Sequence, residues 1–571
     1  MEQYKFSELT YQPNDFEKVN QKLNELTQRV INAANEEEVF SALEEYDSMM
    51  DEVAYAFNLA YIRSSLDCTD TFYQDAVQKE GAGYAMLSTA PFYKALLDSP
   101  FFSSLEKQYG SQFRPLLEQK FRTEANGQEF MAEEQVLINT YQQKKAELRI
   151  IFRGKTYSEG EMLVFFDSPD RQTRIDARKA LSQTVLEQKE TLAPMLLKLI
   201  SLRDQIAKAN GFENYLTYAD TVYSRRGYGE AEMDAFCRQV KEELVPLLSE
   251  LKEEQRIRLG VDKLMAYDNH LLFPDGNAKP AGDAAYLTEQ SKKMYDALSP
   301  DIGKFFRNMV DTESLDVTAS ARKVSGMGFC TDVRKDLLPY VFGNCNGTDT
   351  DVAVFTHEIG HAWQSQITRQ FISLLMLQQM PLDAVEIPSK TMELFAYPYA
   401  EGFFGKDADK FRQGHFCDSL HEIAAYCSIH EFNTWIYTHV GASFEELSAK
   451  QMEIEKLYDP GLDYGELETY YMQGANLLRN MAVYMFPRYV ISYSLSEMCA
   501  MDLFRLMQEN PETAWTSYEK LCSVGGSLSY PEILAQAGLE PAYAEGRVAK
   551  VVAFAREKMK KCCEGKRNEF I

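Results

Sequence analysis

The stretch Asp351-Val-Ala-Val-Phe-Thr-His357-Glu358-Ile-Gly-His361-Ala-Trp363 decides how the rest of the chain is read. It holds two histidines four residues apart, with a glutamate directly after the first. The chain has 7 histidines among 571 residues, so chance supplies such an HExxH pattern only about 0.013 times at this composition. On an α-helix, residues i and i+4 share a face. His357 and His361 can therefore both turn a ring nitrogen to one zinc ion. Glu358 is rotated by about 100° from His357, which disfavours it as a ligand of the same pair but lets it reach a water held on the metal. Zinc lowers the pKa of such a water to about 7, and the carboxylate takes its proton as the water attacks. The helix has its own support: Asp349, Thr350 or Asp351 can cap it, and Val352, Phe355, Ile359 and Trp363 form an apolar stripe to anchor it. Two buried histidines beside a carboxylate on one turn would be costly without a metal.

A catalytic zinc takes three protein ligands and leaves one position open. A histidine six residues after His361 is ruled out by Ile367, and a glutamate nineteen residues after it by Met380. The acidic candidates that remain are Asp383, Glu386, Glu393 and Glu401. Glu386 and Glu393 are seven apart and would share a helix face two turns apart. Pro388 suggests a helix that starts close to it, with Glu386 just before or within the first turn.

Composition narrows the setting. The chain carries 60 basic and 86 acidic residues, a net charge of −26. So negative a surface repels phosphate backbones, and no basic run is longer than the tail Lys560 to Arg567, which argues against nucleic acid. With 45% hydrophobic and 12% aromatic residues, a large core is expected. No apolar run reaches membrane-spanning length; Leu192 to Leu202 is interrupted by Pro194 and Lys198. The start, Met1 to Glu17, has no apolar signal-peptide region. The expectation is a cytoplasmic protein whose ten scattered cysteines are reduced, small core residues.

Helices dominate the pattern. Phe16, Val19, Leu23, Leu26 and Val30 recur at helical spacing, as do Phe40, Leu43, Tyr46 and Met50 after a break at Asn35. Further helices are expected over Val53 to Leu66, Glu133 to Leu148 and Arg171 to Gly260, with Pro169 early in a helix that starts at Ser168. Short strands are expected at Leu148 to Phe152 with Thr156 and Tyr157, as a hairpin at Gly154, and at Met327 to Thr331 and Leu338 to Phe342. Asn269 to Ala284 reads as a loop.

At this point the chain resembles the thimet oligopeptidase and oligoendopeptidase F family of zinc peptidases, most nearly its bacterial oligoendopeptidase F-like branch. The residues that carry the likeness are HEIGHAWQ at 357–364, Val385-Glu386-Ile-Pro-Ser-Lys-Thr-Met-Glu393, Val341 to Thr348, and Ser494 to Phe504. The resemblance implies a mostly α, zincin-like metallopeptidase whose two halves enclose a deep substrate channel, with a small β-sheet near the active-site helix. It implies a helical N-terminal domain over 1–190 and a catalytic domain over 191–571. In this family the third ligand lies 25 residues after the second histidine, the spacing of Glu386 from His361. Carried over, His357, His361 and Glu386 bind one zinc per chain and Glu358 is the general base. Glu393 would orient a ligand histidine. The implied partners are short peptides, with no nucleic acid and no membrane, for a monomer or weak homo-oligomer. A short edge strand would pair with the substrate backbone, and Leu338 to Asn344 is the candidate.

The chain departs from the family in one segment. Where the family carries a histidine and several tyrosines that hydrogen-bond the substrate carbonyl or the oxyanion, this chain reads Asn480-Met-Ala482-Val-Tyr484-Met-Phe-Pro487-Arg488-Tyr489-Val490-Ile-Ser492-Tyr493. Ala482 stands for the histidine and Val490 for one tyrosine. Tyr493 and Tyr489, with Arg488, are left as the oxyanion-side candidates. Two functions follow as expectations: a zinc-dependent endopeptidase of short peptides, and a zinc-retaining peptide-binding protein with weak or altered catalysis. His270, His415, His421, His430 and His439 fit no ligand spacing and read as structural or surface residues.

Overall fold

The computed structural model describes residues 4–124, 126–324 and 327–563. The basic tail from residue 564 onward lies outside them, as do the side chains of Cys562 and Cys563. The chain is mostly helical. Asp15 and Asn35 cap α1 (Phe16–Ile31) and α2 (Glu36–Leu66) by accepting from the backbone N–H groups of Lys18 and Glu38. Their facing stripes, Leu23, Leu26 and Val30 against Val39, Leu43 and Tyr46, meet in one cluster. Each fully buried aliphatic side chain there contributes roughly 1.5–3 kcal/mol.

The expected hairpin is present as β1 (Ile150–Phe152) and β2 (Lys155–Tyr157), antiparallel. Arg153 and Gly154 between them both have positive φ, the conformation that a two-residue turn matched to strand twist requires. The helix α3 (Arg171–Leu186) begins later than expected. Asp170 is its cap and Pro169 precedes it, because the Asp170 carboxylate takes the Thr173 N–H. The helix α4 (Lys189–Ala209) carries Pro194 within it.

Helix α5 (Pro300–Asp311) leads into a three-stranded sheet of β3 (Leu315–Asp316), β4 (Phe329–Thr331) and β5 (Tyr340–Phe342), in the order β3-β5-β4. β5 is parallel to β3 and antiparallel to β4. This corrects the expectation for Leu338 to Asn344. That strand is central, paired on both sides and fully buried, so it has no open edge. The edges of the sheet belong to β3 and β4. Tyr340 and Phe342 of β5 pack with Phe6, Leu59 and Ile62 in one apolar cluster.

Then come α6 (Thr350–Phe371), α7 (Leu382–Phe395), α8 (Ala408–Thr438), α9 (Ile491–Glu509) and α10 (Pro511–Cys522). α7 does not start at Pro388. It starts six residues earlier, with Ala384 and Ile387 buried, and Pro388 lies inside it. The Ser389 hydroxyl donates back to the Glu386 carbonyl (2.9 Å), and the Tyr518 hydroxyl donates to the carbonyl of Pro388 (3.2 Å). These bonds support a turn that proline weakens.

Packing divides the chain into two compact units. One comprises residues 1–125, 279–408 and 499–540; the other comprises 126–278, 409–498 and 541–571. The sequence division at 190/191 runs along the chain, whereas these units interleave along it. No described helix is long and apolar enough to cross a membrane. No disulfide links the eight cysteines whose side chains are described, and five of them are buried.

Candidate metal centre

The first turn of α6 is held by a different bond from the cap expected. Asp349 makes no capping bond. The Asp351 carboxylate instead accepts the N–H groups of Asn346 (2.9 Å) and Gly347 (2.8 Å), tying the preceding loop to the helix. Val352, Phe355, Ile359 and Trp363 are all buried, as the stripe predicts. The opposite edge of α6 is thereby fixed with His357 and His361 side by side.

Gly360 decides how close α7 can come. A Cβ there would stand 2.6 Å from the Ser389 Cα and 2.7 Å from the Pro388 carbonyl oxygen. Only glycine lets the two backbones approach this far. That approach carries Glu386 to the histidines. The Nε2 atoms of His357 and His361 are 3.2 Å apart, and each is 3.2 Å from the same oxygen, Oε2, of Glu386. These three residues are the one set of histidine, cysteine or acidic side chains that gathers in this way among the described residues.

A metal fits this triangle. Donors about 2.0–2.1 Å from a tetrahedral ion stand about 3.3–3.4 Å apart, close to the separations seen. Charge points the same way. Glu358, Glu386 and Glu393 are 7%, 5% and 4% exposed, and three carboxylates sharing one buried site call for a cation. The His357 Nδ1–H donates to Glu393 at 2.6 Å. The carboxylate can only accept, so this bond leaves the Nε2 lone pair of His357 turned toward Glu386. Lys390 lies 3.6 Å from the same oxygen of Glu393. Ser389 donates to Oε2 of Glu386 at 3.0 Å and steadies it.

Glu358 stands off the triangle, next to β4. Burial pushes its carboxyl above the usual range, against the pull of His357 and His361. Gly328, just before β4, is a residue that the sequence reading missed. A Cβ at Gly328 would meet the Val354 side chain at 2.4 Å and lie 3.4 Å from Oε1 of Glu358. Its only signal in the sequence was a glycine at the mouth of a short apolar run.

The remaining candidates belong to the second unit. Tyr493 lies in the first turn of α9, its ring 5.5 Å from Tyr426 and 5.8 Å from Tyr489. Tyr489 also packs against Phe486 and Tyr223. Arg488 is not available as an oxyanion donor. It is buried, and its guanidinium bonds Asp220 (3.0 Å), Glu230 (2.5 Å) and Thr434 (3.0 Å). Ala482 and Val490 are 7% and 6% exposed. No other histidine joins the metal set among the described residues: His421 Nδ1 bonds the Cys417 carbonyl, His439 stacks on Trp435, and His430 is buried.

Comparison with known proteins gives the chain a family. The sequence profile of the peptidase M3 N-terminal domain matches residues 6–123, and that of peptidase family M3 matches residues 164–551. Oligopeptidase PepF of Bacillus subtilis (strain 168) is 21% identical over 368 residues, covering 59% of this chain and 53% of that protein. The chain thus spans about half the length of that curated relative. The solved structure of PZ peptidase A with inhibitor 2 superposes with a TM-score of 0.90 at 32% identity, covering 99% of both chains. A candidate oligoendopeptidase F superposes equally well, at 0.90 and 32%, over 97% of this chain and 98% of that one. The chain belongs to peptidase family M3, a family of metallopeptidases.

Proposed function

We propose that the chain is a zinc-dependent endopeptidase that hydrolyses short peptides. The observation that carries this reading is the triangle of His357, His361 and Glu386 with the buried carboxylate of Glu358 on the adjacent residue. When bound, zinc would polarise the scissile carbonyl and acidify a water. Everything else is done by the chain. Glu358 accepts the proton of the attacking water and returns it to the leaving amine. Glu393 holds the His357 ring in the tautomer that presents Nε2. The outer edge of β4, beside Gly328 and Glu358, offers backbone groups to an extended peptide. Tyr493 and Tyr489 are the donors assigned to the carbonyl oxygen as charge develops on it. A cytoplasmic location and a monomer or weak homo-oligomer belong to the same reading.

A second reading is favoured by Ala482 and Val490: a zinc-retaining peptide-binding protein with weak or altered catalysis. Assaying a fluorogenic peptide library with and without chelator, beside Glu358→Gln, separates the two. The enzyme reading expects chelation to stop cleavage. It expects Glu358→Gln to lower kcat about 10²–10⁴-fold at unchanged zinc content. Equal rates for the parent and Glu358→Gln would leave only the binding protein.

A further inference from the structure

The face of α6 turned away from the two histidines borders a cavity of about 600 Å³. At about 100° per residue, Trp363, Gln366 and Gln370 point about 150° from the His357–His361 edge, and Ile367 about 100° from it. No residue of the metal centre lines the cavity. Its floor is aromatic: Phe305 of α5 meets Trp363 edge to face at 5.3 Å, and Trp515 of α10, which does not line the cavity, stands 6.4 Å from Trp363. The indole N–H of Trp363 is buried and has no hydrogen-bond partner among the described residues. The rim carries both signs of charge, Asp301 and Lys304 from α5 and Glu519 and Lys520 from α10. Among the described residues neither lysine forms an ion pair. Burial and then the charge of Asp301 raise the Glu519 carboxyl, against a bond from Trp515. An ammonium group brought between these two acids would relieve them.

We propose that this cavity binds the zwitterion of an amino acid or dipeptide with a bulky apolar side chain. The side chain lies on the Phe305–Trp363 floor, the carboxylate faces Lys304 and Lys520, and the ammonium faces Asp301 and Glu519. The inference deepens the peptidase reading and rests on it, because such zwitterions are what a hydrolase of short peptides releases. The cavity would then be a product site behind the ligand-bearing helix α6. Trp363 belongs to α6, and Trp515 and Tyr518 of α10 pack on Phe395 of α7.

Two of the three tryptophans, Trp363 and Trp515, stand at or beside the cavity, so intrinsic fluorescence reports occupancy without turnover. The full chain is titrated with leucyl-phenylalanine and with the uncharged N-acetyl-phenylalanine amide. The expected result is a saturable change with the dipeptide only. That change is retained in Glu386→Ala and weakened about tenfold in Lys304→Glu with Lys520→Glu. The milder pair Lys304→Gln with Lys520→Gln, checked by an unchanged melting temperature, should weaken it in the same direction. Equal affinity for the uncharged analogue, loss of the signal in Glu386→Ala, indifference to the lysine substitutions, or no saturable change overturns the proposal. Binding without any peptide cleavage would overturn the peptidase reading and leave the site standing.

Discussion

The segment 350–395 and the segment 480–493 both carry residues assigned to the reaction, yet they are built differently. In the first, two long helices hold every functional side chain. His357 and His361 are placed by helical period, and Glu386 is brought to them by the backbone contact at Gly360. In the second, the chain is a short helix at Met481–Tyr484, a turn with Arg488 at φ 69°, and the start of α9. Here position is set by Arg488, whose buried charge is tied to Asp220 and Glu230. Periodicity fixes geometry in one region and a buried ion network fixes it in the other. Sequence spacing should therefore predict the effect of substitutions in the first region better than in the second.

The sharpest break of that contrast is at Glu386. Glu386→Ala removes one corner of the triangle, and a metal left with two protein ligands should be lost. We expect zinc content near zero and activity down by at least about 10⁴-fold, since both the Lewis acid and the activated water go together. Retention of stoichiometric zinc, measured by elemental analysis, would show that Glu386 is not a ligand. Next is Gly360→Ala, which touches no reacting atom. The added methyl must push the Ser389 and Pro388 backbone away, and overpacking of this kind costs about 1–3 kcal/mol. The expected outcome is a lower denaturation midpoint together with weaker zinc binding. A loss of stability with zinc affinity intact would mean that the helix approach does not set the ligand triangle. Smaller again is Glu393→Ala. It frees the His357 ring while keeping all three proposed ligands, so zinc affinity should fall about 10–100-fold. Competition with a chelator measures it.

What was legible from sequence follows the same division. The HExxH helix, its apolar stripe and its two same-face histidines depend on residues within a few turns, and the spacing read them correctly. The start of α7 was misread because Pro388 usually marks a first turn. Burial of Ala384 and Ile387 extends the helix past it in the N-terminal direction. The pairing of β5 on both sides depends on β3, two residues long and carrying little pattern of its own. The roles of Gly328 and Gly360 were invisible because a missing Cβ has meaning only beside its neighbour. The interleaving of the two compact units is likewise a property of long-range packing. The occupation of Arg488 by two acids more than 250 residues earlier in the chain could not be read from its own surroundings.

The smallest expected effect tests the second segment itself. Ala482→His with Val490→Tyr restores the side chains that the family resemblance leads one to expect. If their absence limits turnover, kcat should rise about tenfold with KM little changed, because a donor to the developing oxyanion acts in the transition state. The gain falls short of a full oxyanion donor for a structural reason. Both positions are nearly buried, so each larger ring must displace neighbours at a cost of about 1–3 kcal/mol. A lower melting temperature with faster turnover is therefore the signature to look for. Lower stability with no gain in rate would mean that Tyr493 and Tyr489 already supply what the reaction needs. The departures at Ala482 and Val490 would then be a matter of packing in this unit rather than of chemistry.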